Sequence, residues 1–145
     1  RRASEMPWIG DIFQIGMRGI GSARSQEVDD AKRHGAHIIS AYTLHEVGMK
    51  RVLEKVPNGG TYYLTIDADG VDPSIMPAVM SQTPGGLTWP HLHTLVHELV
   101  RKGTLVGMDL VEIAPERDVG STTMVHAERL LCNVIGAWVR SQQPL

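Results

Sequence analysis

Tyr63-Leu64-Thr65-Ile66-Asp67-Ala68-Asp69-Gly70-Val71-Asp72-Pro73 carries an apolar segment straight into three carboxylates. Tyr62 to Ile66 is rich in aromatic and β-branched residues and follows the turn formers Pro57, Asn58, Gly59 and Gly60, so it reads as a strand. Asp67 and Asp69 are two positions apart. While the backbone stays extended both point to one face, at the C-terminal end of the strand, where open α/β sheets bind ligands. Two close, half-buried carboxylates repel, and one must take up a proton unless a cation sits between them. Such oxygen donors suit Mg²⁺, Mn²⁺ or Ca²⁺ and disfavour copper or iron–sulfur chemistry. The competing reading is a solvated acidic turn; the position directly after a core strand favours the cation. Asp72, preceding Pro73, is expected to organise the turn through its own side chain.

The flanking segments place this strand in an alternating α/β order. Ile12 to Met17 reads as a strand stopped by Gly19 and Gly21. A helix follows, with Ser25 as its cap, acids in its first turns, Lys32, Arg33 and His34 in its last, and Gly35 as terminator. His37 to Ala41 is a second strand, and Thr43-x-x-Glu46 has the capping-box spacing for a helix from Leu44 to about Val56. Residues 69 to 88, with Pro73, Pro77 and Pro84, form a long loop of the functional kind. Leu92, Leu95, Val96, Leu99 and Val100 repeat at helical spacing between Pro90 and Lys102, with Gly103 as the stop. Leu105 to Ile113 reads as a strand. Ala127, Leu130, Leu131, Val134, Ile135 and Trp138 mark a final helix after Ser121 and Thr122. Apolar, non-alternating strands separated by helices predict an α/β fold with a mostly parallel sheet covered by helices.

A second acidic strand is Leu105-Val106-Gly107-Met108-Asp109-Leu110-Val111-Glu112-Ile113-Ala114-Pro115. Acids inside an apolar strand are costly unless paired, hydrogen-bonded or near a metal. Asp109 and Glu112 face opposite sides of an ideal strand. Glu112, nearer the C-terminal end, reads as a carboxylate that grips a cationic substrate group, against the alternative of an exposed edge residue; Asp109 reads as a supporting acid. His93 and His97 have the spacing of a helical zinc pair but project away from the apolar stripe, so they read as solvated helix histidines. Gly16-x-x-Gly19-x-Gly21 reads as a turn, and Cys132 as a packing residue in a helix.

The chain has 145 residues, the length of a single domain spanning 1–145, and 42% of them are apolar. Fourteen basic and sixteen acidic side chains give a net charge of −2 without charge blocks, which lends no support to nucleic acid or membrane as partner. A single cysteine excludes an internal disulfide and a multi-cysteine zinc site, and fits a reducing, cytoplasmic location. No apolar run is long enough for a membrane span.

Together, Leu64-Thr65-Ile66-Asp67-Ala68-Asp69-x-x-Asp72-Pro73, Gly85-Gly86-Leu87-Thr88 and Val106-Gly107-Met108-Asp109-Leu110-Val111-Glu112-Ile113-x-Pro115 resemble the ureohydrolases, the arginase and agmatinase relatives, with the agmatinase branch the more similar. Phe13-Gln14-Ile15-Gly16-Met17-Arg18 resembles the strand that precedes those motifs in the family, so the likeness spans nearly the whole chain. The resemblance implies a three-layer α/β/α fold, two Mn²⁺ ions bridged by hydroxide, and hydrolysis of a guanidino group to an amine and urea. It implies that Asp67 and Asp69 are metal ligands, that Glu112 holds the substrate guanidinium, and that the full-length protein is a homo-oligomer.

The family's early ligands, in Gly-Gly-Asp-His and Asp-Ala-His-x-x-Asp segments, and its proton-shuttling histidine lie upstream of the region resembled. None is present here. With the opening Arg1-Arg2-Ala3 lacking an initiator methionine, the expectation is the C-terminal part of a longer protein, the fragment alone being inactive. Ala78-Val79-Met80-Ser81-Gln82-Thr83-Pro84 replaces the family's Gly-Thr-Gly-Thr-Pro pattern and puts Ser81 where a substrate-lining threonine is expected. Agmatine, guanidinobutyrate and related guanidino acids are the candidate substrates. Two other readings compete: a haloacid-dehalogenase-like, Mg²⁺-dependent phosphatase with Asp67 as nucleophile, and a non-catalytic half-domain with exposed apolar surface along one sheet edge.

Overall fold

Every strand pair in this computed structural model, which describes residues 2–20 and 23–142, is parallel. β1 (Ile12–Met17) pairs with β2 (Ala36–Ser40), and α1 (Ser25–Arg33) makes the crossover between them. β3 (Thr61–Asp67) pairs with β4 (Thr104–Val111), and the long loop with α4 (Trp89–Lys102) forms that crossover. The expected α/β arrangement holds, but the ladders form two separate two-stranded sheets among the described residues rather than one. Side-chain packing links the two pairs: β1 bulges between Ile15 and Met17, where Gly16 adopts φ 94°. That φ favours glycine, and a Cβ there would also meet Leu87 Cδ1 at 2.2 Å, so a larger residue would strain β1 and push Leu87 aside where the strand meets the loop. Gly21 of the glycine-spaced segment lies outside the described residues.

The expected helix from Leu44 to Val56 is two helices, α2 (Ala41–Val47) and α3 (Met49–Leu53). Gly48 separates them with φ 80° and ψ 157°, a backbone conformation open only to glycine. The Thr43–Glu46 capping box does not form, because Thr43 is already inside the helix. Ser40, still extended, is the cap, and its Oγ accepts the N–H of Thr43 at 3.1 Å. Likewise α1 is capped one residue earlier than expected, at Arg24, whose N–H donates to the Glu27 carboxylate at 2.7 Å.

β3 alternates where an uninterrupted buried strand was expected. Leu64 and Ile66 enter the core, while Tyr63, Thr65 and Asp67 face outward. One face of the β3–β4 pair is therefore open in this chain, with Tyr63 and Val106 more than half exposed. The other face closes on α4, whose Leu92, Leu95, Val96, Leu99 and Val100 are all buried, as their spacing predicts. α5 (Thr122–Ser141) packs on α4 and buries Thr123, Ala127, Leu130, Val134 and Ala137, with Thr123 Oγ1 accepting the Ala78 N–H at 2.9 Å. Leu131, Ile135 and Trp138, which with the buried residues marked this helix in the sequence, are 39%, 60% and 44% exposed on an adjoining stripe. One apolar cluster runs from Ile39 to Ala137, and Leu44, Met76, Leu92 and Leu130 are its largest fully enclosed side chains. Among the described residues no helix is long and apolar enough to cross a membrane.

Candidate functional site

The two ladders of β3 and β4 end together, Asp67 opposite Val111. After Asp67 the chain tightens into a 3₁₀ turn, Ala68–Gly70. Asp69 therefore does not reach its neighbour by strand alternation, as the spacing suggested. The turn brings them together instead, with Asp67 Oδ1 accepting the N–H of Asp69 at 3.0 Å. The residue surface of Asp67 is open, but its carboxyl is partly enclosed. That desolvation pushes its pKa above the ordinary carboxylate range, and the charges of Asp69 and Glu112 push it further, against the lowering effect of the Asp69 N–H.

Glu112 comes into this group through the backbone. β4 stops at Val111, short of the expected Ile113, and Glu112 adopts φ 62°, a left-handed conformation costly for a non-glycine residue. The departure from the strand removes the alternation that set Asp109 and Glu112 on opposite faces. Asp109 stays in the ladder opposite Thr65, and its Oδ2 accepts the Tyr63 hydroxyl at 3.1 Å. That bond, more than burial, raises the Tyr63 pKa. Asp109 Oδ1 is buried without a partner among the described residues.

The long loop folds over the strand ends through contacts that the sequence did not announce. Asp72 organises it as expected: Oδ1 accepts from the N–H and hydroxyl of Ser74, and Oδ2 from the N–H groups of Gly85 and Gly86. Ser74, followed by these backbone donors, holds the Asp72 carboxyl down at about 2. Arg18, just past β1, donates to the carbonyls of Asp69, Gly70, Val71, Thr83 and Pro84. His45 Nε2 donates to the carbonyls of Gly85 and Gly86, and its ring meets His91 edge-on at 5.0 Å. Farther along, Val79 bridges Ile113, Ala114 N–H donates to the Ala78 carbonyl at 2.9 Å, and Arg117 donates to the carbonyls of Val79 and Met80. These bonds stitch the loop bearing Ser81 to the segment bearing Glu112. Ser81 itself is exposed, and no hydrogen bond joins it to the three acids among the described residues. Arg18, His45 and Arg117 escaped sequence reading because their partners are backbone carbonyls, which carry no residue signature.

Of the remaining candidates, His93 and His97 lie ring to ring at 4.3 Å. His93 is solvated as expected, whereas His97 is half-buried and its Nε2 has no partner among the described residues. The corrected reason is the groove between α4 and α5, which His97 lines together with Arg129, Cys132 and Asn133. Cys132 is exposed and not a packing residue. No three His, Cys, Asp or Glu side chains gather in metal-binding geometry among the described residues.

Parallel strand pairs under helices define an α/β protein, with carboxylates gathered at the C-terminal edge of a sheet, where open α/β sheets bind ligands. The family model for the arginase family matches residues 1–136, and the chain belongs to that family. The agmatinase of Bacillus subtilis (strain 168) is 33% identical over 141 residues, covering 97% of this chain and 47% of the relative. An N(1)-aminopropylagmatine ureohydrolase of Thermus thermophilus is 31% identical over 106 residues, covering 72% of this chain and 34% of that protein. Among solved structures, the proclavaminate amidino hydrolase from Streptomyces clavuligerus superposes with a TM-score of 0.78 at 28% identity, over 90% of this chain and 44% of the other. The chain thus spans less than half the length of these relatives. Family membership confers the arginase-type α/β/α fold and sets aside the haloacid-dehalogenase-like reading.

Proposed function

We propose that the chain is the C-terminal part of a manganese-dependent ureohydrolase that releases urea from a small guanidino compound, agmatine first among the candidates. The observation that carries this reading is the convergence of Asp67, Asp69 and Glu112 at the ends of β3 and β4, with the Asp67 pKa raised first by desolvation and further by the charges of the other two. Asp67 and Asp69 fit a divalent cation in part: they are hard oxygen donors whose mutual repulsion a cation relieves. The chain offers two such ligands, and the others would come from an upstream segment. When bound, manganese supplies water activation and charge neutralisation. The chain's own residues do the rest of the work proposed here. Glu112, an exposed carboxylate, pairs with the guanidinium by charge-assisted hydrogen bonds and fixes its orientation. Ser81, on the loop stitched beside it, contacts the substrate's far end and selects among guanidino compounds. The similarity to an agmatinase and to an aminopropylagmatine ureohydrolase supports a guanidino group on an amine-bearing chain. A cytoplasmic location and a homo-oligomer of the complete protein belong to the same reading, with neither nucleic acid nor membrane as partner.

The test is urea release by the complete, manganese-loaded protein from agmatine, guanidinobutyrate and arginine, with p-nitrophenyl phosphate as control. Agmatine is expected to give the highest kcat/KM. Absence of urea from all three at full manganese occupancy would sink the reading.

A further inference from the structure

We infer that Arg18 is a positioning residue that shapes the carboxylate turn for its cation, an inference that rests on the function proposed above. Its guanidinium lies between two stretches of the long loop. Nη2 donates to the carbonyl of Asp69 at 2.8 Å, to that of Val71 at 3.3 Å and to that of Thr83; Nη1 donates to Gly70 at 3.2 Å; Nε donates to Thr83 at 3.2 Å and to Pro84 at 3.3 Å. Five carbonyls from two segments thus converge on one planar cation. A carbonyl cluster of this kind is otherwise repulsive, and the forked donor set of arginine satisfies several directions at once, which a lysine ammonium cannot do.

The surroundings are built to admit that side chain. A Cβ on Gly86 would lie 2.7 Å from Arg18 Nη2, 2.5 Å from Asp72 N and 2.6 Å from Val71 C. The bulge at Gly16 sets Arg18 just beyond the end of the β1 ladder, beside the loop. Three of the five acceptors belong to Asp69, Gly70 and Val71, the backbone that follows Asp67. Through these bonds Arg18 reaches the backbone of the turn. It fixes the peptide planes from which the Asp69 side chain projects, and so acts on the cation through Asp69.

The experiment uses the complete protein and its Arg18→Lys and Arg18→Gln variants. It measures manganese affinity by electron paramagnetic resonance with the metal alone, amide hydrogen exchange of the metal-free protein at Gly70 to Asp72 and Gly85 to Leu87, and kinetics across a manganese titration. Both variants are expected to bind manganese at least about tenfold more weakly, the range seen when groups supporting metal ligands are removed. They are expected to lose protection in those two stretches while α4 and α5 keep theirs, and to recover kcat at saturating manganese with KM unchanged. Unchanged manganese affinity and loop protection in both variants would overturn the inference. So would a loss of protection spread over the whole protein, which would mark a general structural role; Arg18→Lys guards against a Gln variant that fails to fold. A parent protein that binds no manganese would overturn the proposed function instead, and selective loop deprotection in the variants would then still uphold Arg18 as the residue that shapes the turn.

Discussion

The carboxylate of Asp72 accepts the backbone N–H of Gly85 at 2.8 Å, thirteen residues farther along the chain. With the Gly86 N–H on the same oxygen and Ser74 on the other, one side chain ties both ends of the loop together. Asp72→Ala is expected to destabilise the complete protein by about 1 kcal/mol, a charged hydrogen-bond contribution reduced by its solvent exposure. Because the folded pKa is depressed to about 2 from 3.8, this contribution is fully present above pH 4 and is lost as the pH falls towards 2. Parallel acid melts of parent and variant check it: the two curves converge at low pH.

Gly86→Ala tests the closeness of the same loop to its support. The new methyl meets backbone atoms of Val71 and Asp72 at 2.5 to 2.6 Å, and these cannot move without disturbing the turn. A loss of about 2 kcal/mol is expected by chemical denaturation, within the usual range for overpacking. Gly48→Ala makes the comparison, because a Cβ there meets open space and the cost is conformational alone.

Glu112 holds a left-handed backbone at φ 62° on an exposed surface. Strain at such positions costs about 1 kcal/mol or more. Glu112→Gly is expected to raise the melting temperature slightly while abolishing urea release. Glu112→Gln is expected to leave stability and manganese content unchanged and to lower kcat/KM by at least about a hundredfold. A Gln variant with parental kinetics would remove Glu112 from substrate binding.

Asp67→Ala and Asp69→Ala are each expected to abolish activity through loss of manganese, seen as reduced metal content after dialysis. In the metal-free protein Asp67→Ala is expected to cost no more than the turn cap that its Oδ1 supplies to the Asp69 N–H, about 1 kcal/mol. For Asp67 the sign is the reverse of the usual acid: its raised pKa means that the ionised carboxylate is a liability in the metal-free fold. Retained activity at full metal occupancy would refute the assignment.

His91 sits half-buried against His45, and its Nδ1 accepts the N–H of Thr88 at the start of α4. Desolvation first, and the His45 charge second, lower its pKa below 6.5. The unfolded chain therefore takes up a proton that the folded one refuses, and stability falls as the pH drops below 6.5. His91→Asn is expected to flatten the dependence of melting temperature on pH between 6.5 and 5.

The parts of this fold that could be read in advance are those whose cause lies within a few residues. The stripe Leu92, Leu95, Val96, Leu99, Val100 announces α4, and all five are buried. Asp72 before Pro73 announces a self-organised turn. The break at Gly48 was hidden because helical periodicity runs through it and a single glycine is tolerated in many helices. Leu131, Ile135 and Trp138 have the spacing of a core stripe, but spacing cannot say which of two adjoining stripes a neighbouring helix will cover. Asp67, Asp69 and Glu112 were each visible as candidates. Their meeting depends on a 3₁₀ turn and a left-handed residue, and neither follows from alternation.

The contacts of Arg18 join residues 51 to 66 positions apart in the chain. Closing loops of that length carries an entropic cost before any bond repays it, so the bonds of Arg18 to the carboxylate turn cannot form until β1 and β3 already share one body. These bonds are thus expected late in the order of folding events and among the first to go on partial opening. The chain can hold its helices and ladders while the place proposed for the cation is still unfastened.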